Sequence, residues 1–317
     1  MIGSLFILCD NAQAEVNPDA LQWMQKSAAA TRKLSYSGTF IYQTGGRMET
    51  SHIVHYFDGN HEFERAVVLD GSPREIVRTN DEVRCYLPES RVVVVEKRGL
   101  RRGLPVTLPE GIAGLTDFYN IRRGPPARVA GFETQSILAE PRDTLRYHRQ
   151  FWLDTHSGLV LKASMVNDRG EVRESFAFTE LKIGGSIDKE ALKPQTKIQG
   201  ADWRVHDAQA REVDADDTPW VFTTLLPGYK RISSMKRQVH ADGTEAIHVV
   251  FSDGLSAISA FIEPLTPARS HPELGTFSMG AVNGYKRQIG NNLVVVMGDA
   301  PVAAIRKLAD GVEMRHK

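Results

Sequence analysis

The chain has 317 residues, 41% of them apolar and 25% charged, and its 39 basic side chains balance 39 acidic ones. That length fits two domains at ~150 residues each, with enough apolar side chains to build cores without disulfide staples. The charge balance argues against a nucleic-acid binder, which carries a basic excess, and no apolar run reaches the ~18 residues a membrane-spanning helix needs.

Residues 1–14 read as an export signal. Ile2 to Leu8 are apolar apart from Gly3 and Ser4, and Ala12-Gln13-Ala14 is the small-x-small triplet that a signal peptidase accepts. No Lys or Arg precedes the apolar stretch, so this signal is short of a basic start. Leu8 is bulky where a lipidated Cys9 would need a small neighbour. Cleavage after Ala14 leaves Cys85 as the one thiol, which cannot form an internal disulfide. Its place in the strand-like Glu82–Leu87 predicts a buried, small, apolar side chain.

Asn17-Pro18 opens a helix expected to run to about Lys33, because Asn caps well and Pro suits a first turn. Leu21, Met24 and Ala28 mark its apolar face. Strands follow. Apolar and polar residues alternate over Tyr36–Gln43, break at Gly45-Gly46, and return over Glu49–Phe57. Turn dipeptides at Asp58-Gly59, Asp70-Gly71 and Asn80-Asp81 separate further short strands, which predicts an antiparallel meander. Val92 to Val95 are four consecutive valines, suited to burial on both faces. Residues 97–130 are less regular, with a short helix expected over Gly114–Ile121. Leu145–Asp154, Gly158–Val166 and Glu171–Ile183 read as three long strands, the last two joined by an Asn167–Gly170 hairpin loop.

Residues 15–200 thus predict a large, bent antiparallel sheet with few helices, either closed as a barrel or open with a concave face. Residues 201–216 hold five acids and few large aliphatics, and read as a linker. Residues 217–317 predict a smaller α+β domain, so the fold class is α+β throughout. Its last helix is expected to be capped by Asp299, with Pro301 in the first turn and Gly311 just past the end.

Common catalytic patterns are missing: no Gly-x-Ser-x-Gly, no Gly-x-x-x-x-Gly-Lys, no Gly-x-Gly-x-x-Gly and no His-Glu-x-x-His. Arg65 stands where a second His would follow His61-Glu62. His52 and His55 are three apart, so on a strand they face opposite sides and cannot share a metal readily. No catalytic residue, metal or cofactor is predicted, and the chain does not read as an enzyme. Two sets of binding candidates remain. Arg98, Arg101 and Arg102, in a glycine-interleaved basic loop, suit phosphate or an acidic partner segment. Phe40, Tyr42, Phe151, Phe176 and Phe178 are core side chains by default, or the lining of an apolar cavity that takes an acyl chain.

Four stretches, in order, carry a resemblance: Tyr36-Ser37-Gly38-Thr39-Phe40-Ile41-Tyr42, Thr50-Ser51-His52-Ile53-Val54-His55, the run from Val67 to Arg78, and the run from Gly254 to Leu265. With the two-domain layout and export signal, the set resembles the RseB/MucB family, from about Ala20 to the last helix. The resemblance implies an unclosed β-barrel like the periplasmic lipoprotein carriers (LolA/LolB-like), joined by a linker to a partner-binding α+β domain. It implies a periplasmic protein that binds the periplasmic part of a membrane-spanning, RseA/MucA-like anti-sigma factor. While bound, such a protein shields that factor from the site-one protease and so restrains the envelope-stress sigma factor. Lipopolysaccharide or lipoprotein acyl chains are the implied release signal. No nucleic acid is expected, and a homodimer is compatible with the sequence. The alternative is a periplasmic lipoprotein carrier or chaperone without a regulatory role.

Overall fold

The computed structural model describes residues 18–80, 82–97, 104, 108, 109, 111, 114–200, 202–207, 210–214, 217–240 and 243–315. The expected export signal at 1–14, and Arg98, Arg101 and Arg102, lie outside the described residues.

Helix α1 (Pro18–Lys33) buries Ala20, Met24, Ser27, Ala28 and Thr31, positions spaced by three or four that form one stripe. A meander follows: β1 (Tyr36–Thr44), β2 (Arg47–Phe57), β3 (Glu62–Val68), β4 (Glu75–Thr79), β5 (Glu82–Leu87) and β6 (Val92–Lys97). After the one-turn α2 (Leu115–Phe118) come β7 (Tyr119–Val129), β8 (Phe132–Pro141), β9 (His148–Asp154), β10 (Val160–Val166) and β11 (Val172–Ile183). These strands make one twelve-stranded sheet with β12 (Arg204–Asp207), in the order β12-β6-β5-β4-β3-β2-β1-β11-β10-β9-β8-β7. Its edges, β12 and β7, do not pair, so the sheet is large and unclosed as expected. All pairs are antiparallel except β12 on β6.

Helix α1 spans the inner face of this sheet. Its first turn reaches β7, where Asp19 meets Arg123 at 2.8 Å, and its last turn reaches β3, where Arg32 meets Glu62 at 3.2 Å. Lys26 donates to the carbonyls of Thr155 and His156, tying the middle of the helix to the turn after β9. The Asp19–Arg123 pair and the Lys26 contacts are exposed and contribute little each, while Arg32–Glu62 is part-buried. The apolar stripe, seated on Phe40, Ile53, Ile137, Phe151 and Phe176, supplies the hold.

Gly38, inside β1, is required by a close approach. A Cβ there would lie 2.4 Å from the Glu180 carbonyl oxygen and 3.0 Å from the Phe178 ring, beside a register shift at Thr39/Phe40. Gly38→Ala is expected to cost about 1–3 kcal/mol in urea unfolding. A loss within the error of the measurement would mean β11 can back away from β1.

The irregular reading of residues 97–130 is corrected. Residues 119–129 form the long edge strand β7, and the helix expected over Gly114–Ile121 shrinks to Leu115–Phe118. Gly124-Pro125-Pro126 concealed that strand. An edge position tolerates Pro, and the register shifts between Arg123 and Pro126 while Ser136 donates to the Pro125 carbonyl. The strand expected from Leu145 begins instead at His148.

The stretch read as a linker contains two short strands. β12 extends the first sheet, and β13 (Ala210–Glu212) pairs with β15 (Lys230–Gln238) of a second. Trp203 packs on Val77, Tyr86 and Val93. The connection is therefore stitched to both units.

The second unit continues with β14 (Trp220–Phe222), β15, β16 (Glu245–Ser252), β17 (Ala257–Pro264), β18 (Gly275–Met279), β19 (Val282–Ile289) and β20 (Asn292–Gly298). Its sheet order is β13-β15-β16-β17-β20-β19-β18. Helix α3 (Val302–Asp310) lays Ala304, Ile305 and Leu308 on this sheet, and β21 (Val312–Met314) returns to pair with β14. Asp299 does not cap α3, which starts after Pro301 with no side-chain cap. Its Oδ1 instead accepts from the Ala257 amide at 2.7 Å, because that edge of β17 and a cation from the first unit compete for it.

His248, on the face of β16 opposite the one that carries Val249 and Phe251 into the core, is 6% exposed, stacked on Phe261 with centroids 4.1 Å apart and its Nε2 3.0 Å from Ser259 Oγ. Its Nδ1 is buried without a hydrogen-bond partner. Burial, reinforced by Arg237, pushes this imidazole down to about 4. An unfolded histidine titrates near ~6.5, so the unfolded chain takes up the proton first as pH falls. Stability from this group is complete above pH ~6.5 and drains away as pH falls towards the folded value, by on the order of 3 kcal/mol in full. Denaturant unfolding at pH 7 and pH 4.5 is expected to show a smaller acid loss in His248→Gln than in the parent. Equal losses would contradict this.

Candidate functional site

The inner face of the large sheet is where the aromatic candidates meet. On antiparallel strands, alternate residues share a face. Phe40 stands opposite Phe178 and Tyr42 opposite Phe176 in the β1–β11 pairing, while Phe151 stands opposite Ala163 on β9–β10. The structure thus brings all five onto one surface.

Phe40, Phe151, Phe176 and Phe178 are all buried. The Phe176 ring lies 5.2 Å from both Phe40 and Phe178, at edge-to-face angles of 61° and 76°. Met24 and Ala28 of α1, with Leu104, Leu108 and Leu115, complete the same cluster. These rings occupy one another's faces and the underside of the helix. A hydrocarbon guest would have to displace α1 or part the rings.

Tyr42 marks the end of the apolar layer. Its hydroxyl donates to Glu174 at 2.8 Å. Burial, together with that carboxylate, raises the phenol well above its usual range. Glu174 is itself raised by burial, partly offset by Arg149. Burial opposes the Arg149 charge, yet Asp299 and Glu174 keep its guanidinium more firmly protonated than usual. A shallow cleft opens here, lined by Arg149, Phe151, Ala163, Ser164, Met165 and Glu174. A second one, under the last turn of α1, is lined by polar groups including Tyr36, His55, Glu64 and Arg78.

The sequence reading overlooked the inward charges Arg149 and Glu174. The signal was available in strand parity: Arg149 shares its face with Phe151 and Leu153, and Glu174 with Phe176 and Phe178. A charge at an apolar-parity position is held by a partner. Cys85 is buried on β5. Among the described residues, no three His, Cys, Asp or Glu side chains gather as a metal site, and no helix is long and apolar enough to cross a membrane.

This arrangement offers surfaces for binding. Comparison with known proteins agrees in kind. The family described as MucB/RseB N-terminal domain matches residues 19–196, and the MucB/RseB C-terminal domain matches residues 214–313. The sigma factor AlgU regulatory protein MucB of Pseudomonas aeruginosa is 28% identical over 297 residues, spanning 92% of this chain and 90% of its own. The sigma-E factor regulatory protein RseB of Haemophilus influenzae is 22% identical over 319 residues, spanning 98% and 96%. A solved structure of MucB in complex with MucA(peri) superposes with a TM-score of 0.71 at 26% identity, covering 94% of this chain and 100% of that one.

Proposed function

The chain belongs to the MucB/RseB family, and from that premise we propose that it is a regulatory binding protein of the periplasm. It holds the periplasmic part of a membrane-anchored, MucA-like anti-sigma factor, protects that segment from regulated proteolysis, and so restrains the envelope-stress sigma factor. The supporting observation is the end-to-end superposition on MucB taken from its complex with MucA(peri), across both units of the chain. The relatives are named as regulators rather than enzymes. Arg98, Arg101 and Arg102 are proposed contacts for an acidic stretch of that partner or for phosphate.

Lipid or lipoprotein acyl chains are the proposed release signal, entering over Phe40, Phe151, Phe176 and Phe178. Each buried methylene contributes about 0.8 kcal/mol, so a long chain can offset the displacement of one amphipathic helix. To transmit a signal, the chain must bind the two forms of the protein unequally.

Protease protection tests the reading. The periplasmic segment of the MucA-like protein from the same organism is incubated with the site-one protease, with and without this protein in excess. At least tenfold slower cleavage is expected. An unchanged rate would remove the protective role.

A further inference from the structure

Several contacts join the two units, among them Glu96 with Arg237 and Leu255 within the first core, and one short segment of the first unit carries a ladder of polar ones. Of residues Leu145-Arg146-Tyr147-His148-Arg149, leading into β9, all but His148 send their side chains to the second unit. Leu145 packs against its core. Arg146 is fully buried: its Nε donates to Asp253 Oδ2 at 2.8 Å, and another nitrogen donates to the Pro227 carbonyl. Its guanidinium also lies over the rings of Phe118, at 4.7 Å, and Tyr229, at 5.0 Å. Tyr119 donates to the same Asp253 oxygen at 2.8 Å, while Asp253 Oδ1 accepts the amides of Leu255 and Ser256.

Two further rungs follow along the segment. The Tyr147 hydroxyl accepts from Asn283 Nδ2 at 2.8 Å, and that amide also donates to the Ala300 carbonyl. Arg149 donates to Asp299, whose other oxygen is held by Ala257 and Ser256. Beyond it two hairpin tips touch: the Ala281 amide donates to Thr44 Oγ1 at 2.8 Å, and Arg173 donates to the Gly280 carbonyl at 3.1 Å.

We propose that this pentapeptide is an ionic latch that fixes the relative pose of the two units independently of the chain joining them. Its chemistry suits a device that opens. A large apolar interface would resist exposure to water, whereas arginines and aspartates are solvated well once apart. Closed, Arg146 is shared between Asp253 across the junction and Asp143 of its own unit, and Arg149 is held by Asp299, so losing Asp253 or Asp299 leaves a buried guanidinium under-compensated. Arg149 also lines the cleft beside Phe151, so whatever occupies that cleft touches the latch directly.

The test separates latch from tether. A protease site is placed at positions 208–209 and cut after the full chain has folded, and the two halves are followed by gel filtration and titration. The uncut pose predicts that parental halves co-elute. Arg146→Met is expected to weaken their association at least 100-fold and Arg149→Met at least tenfold. Arg122→Met, which removes an exposed pair with Glu140 inside the first unit, is expected to leave it unchanged. Should Arg146→Met fail to fold by circular dichroism, the isosteric Asp253→Asn takes its place with the same expected weakening. Parental halves that separate on cutting, or Arg146→Met or Asp253→Asn halves that associate as tightly as the parent's, would overturn the proposal.

Discussion

Phe176→Ala is expected to cost about 3–5 kcal/mol in urea unfolding, the range for removing a fully buried aromatic ring. Phe176 is fully buried, and two phenylalanine rings lean on it edge-to-face. Deleting it leaves a void beneath α1 that neighbouring strands, fixed by their pairing, cannot close. Phe176→Leu keeps most of the volume and is expected to lose less than half as much. A loss under ~1 kcal/mol for the alanine variant would show that these rings already border empty space. The inner face would then be an open trough rather than a filled one.

Glu75→Ala is expected to cost a similar amount, about 3–5 kcal/mol, by a different route. Glu75 is 3% exposed and its Oε1 lies 2.5 Å from Arg65 Nε, itself buried. The carboxylate also accepts the amides of Gln195 and Thr196, pinning the segment that leads towards the second unit. Truncation strands the Arg65 charge and frees two amides at once. The double variant Glu75→Leu with Arg65→Met removes both charges and is expected to recover most of the loss, because no uncompensated ion remains. Hydrogen exchange at Thr196 is expected to accelerate in the single variant. A single variant as stable as the parent would mean that Arg65 finds another partner.

The large sheet was legible because its strands are bounded by turn dipeptides and because Tyr36–Gln43 alternates cleanly. Local pattern reads local structure well. It failed at β7, where Gly124-Pro125-Pro126 resembles a loop unless the strand is known to lie at an edge. It failed again at 201–216, whose acidic composition resembles a solvated tether. Only the position of β6 and β15 turns Arg204–Asp207 and Ala210–Glu212 into strands. Asp299 preceding a proline at a helix start is a sound capping signal, and tertiary demand from Arg149 and Ala257 overrode it. The five aromatic candidates were legible as core or cavity-lining side chains, and four of them are buried in one cluster. What no single stretch could reveal is that Arg146, Asp253 and Tyr119 converge, since that contact joins positions more than a hundred residues apart.

Partner binding is the property on which the regulatory role depends. Calorimetric titration of the full-length protein with the periplasmic segment of the MucA-like anti-sigma factor from the same organism is the direct measurement. A saturable, stoichiometric complex with micromolar or tighter affinity, at least tenfold weaker when acyl-bearing lipopeptide is present, is the predicted result. No heat and no co-elution at high concentrations of both proteins would contradict the regulatory role.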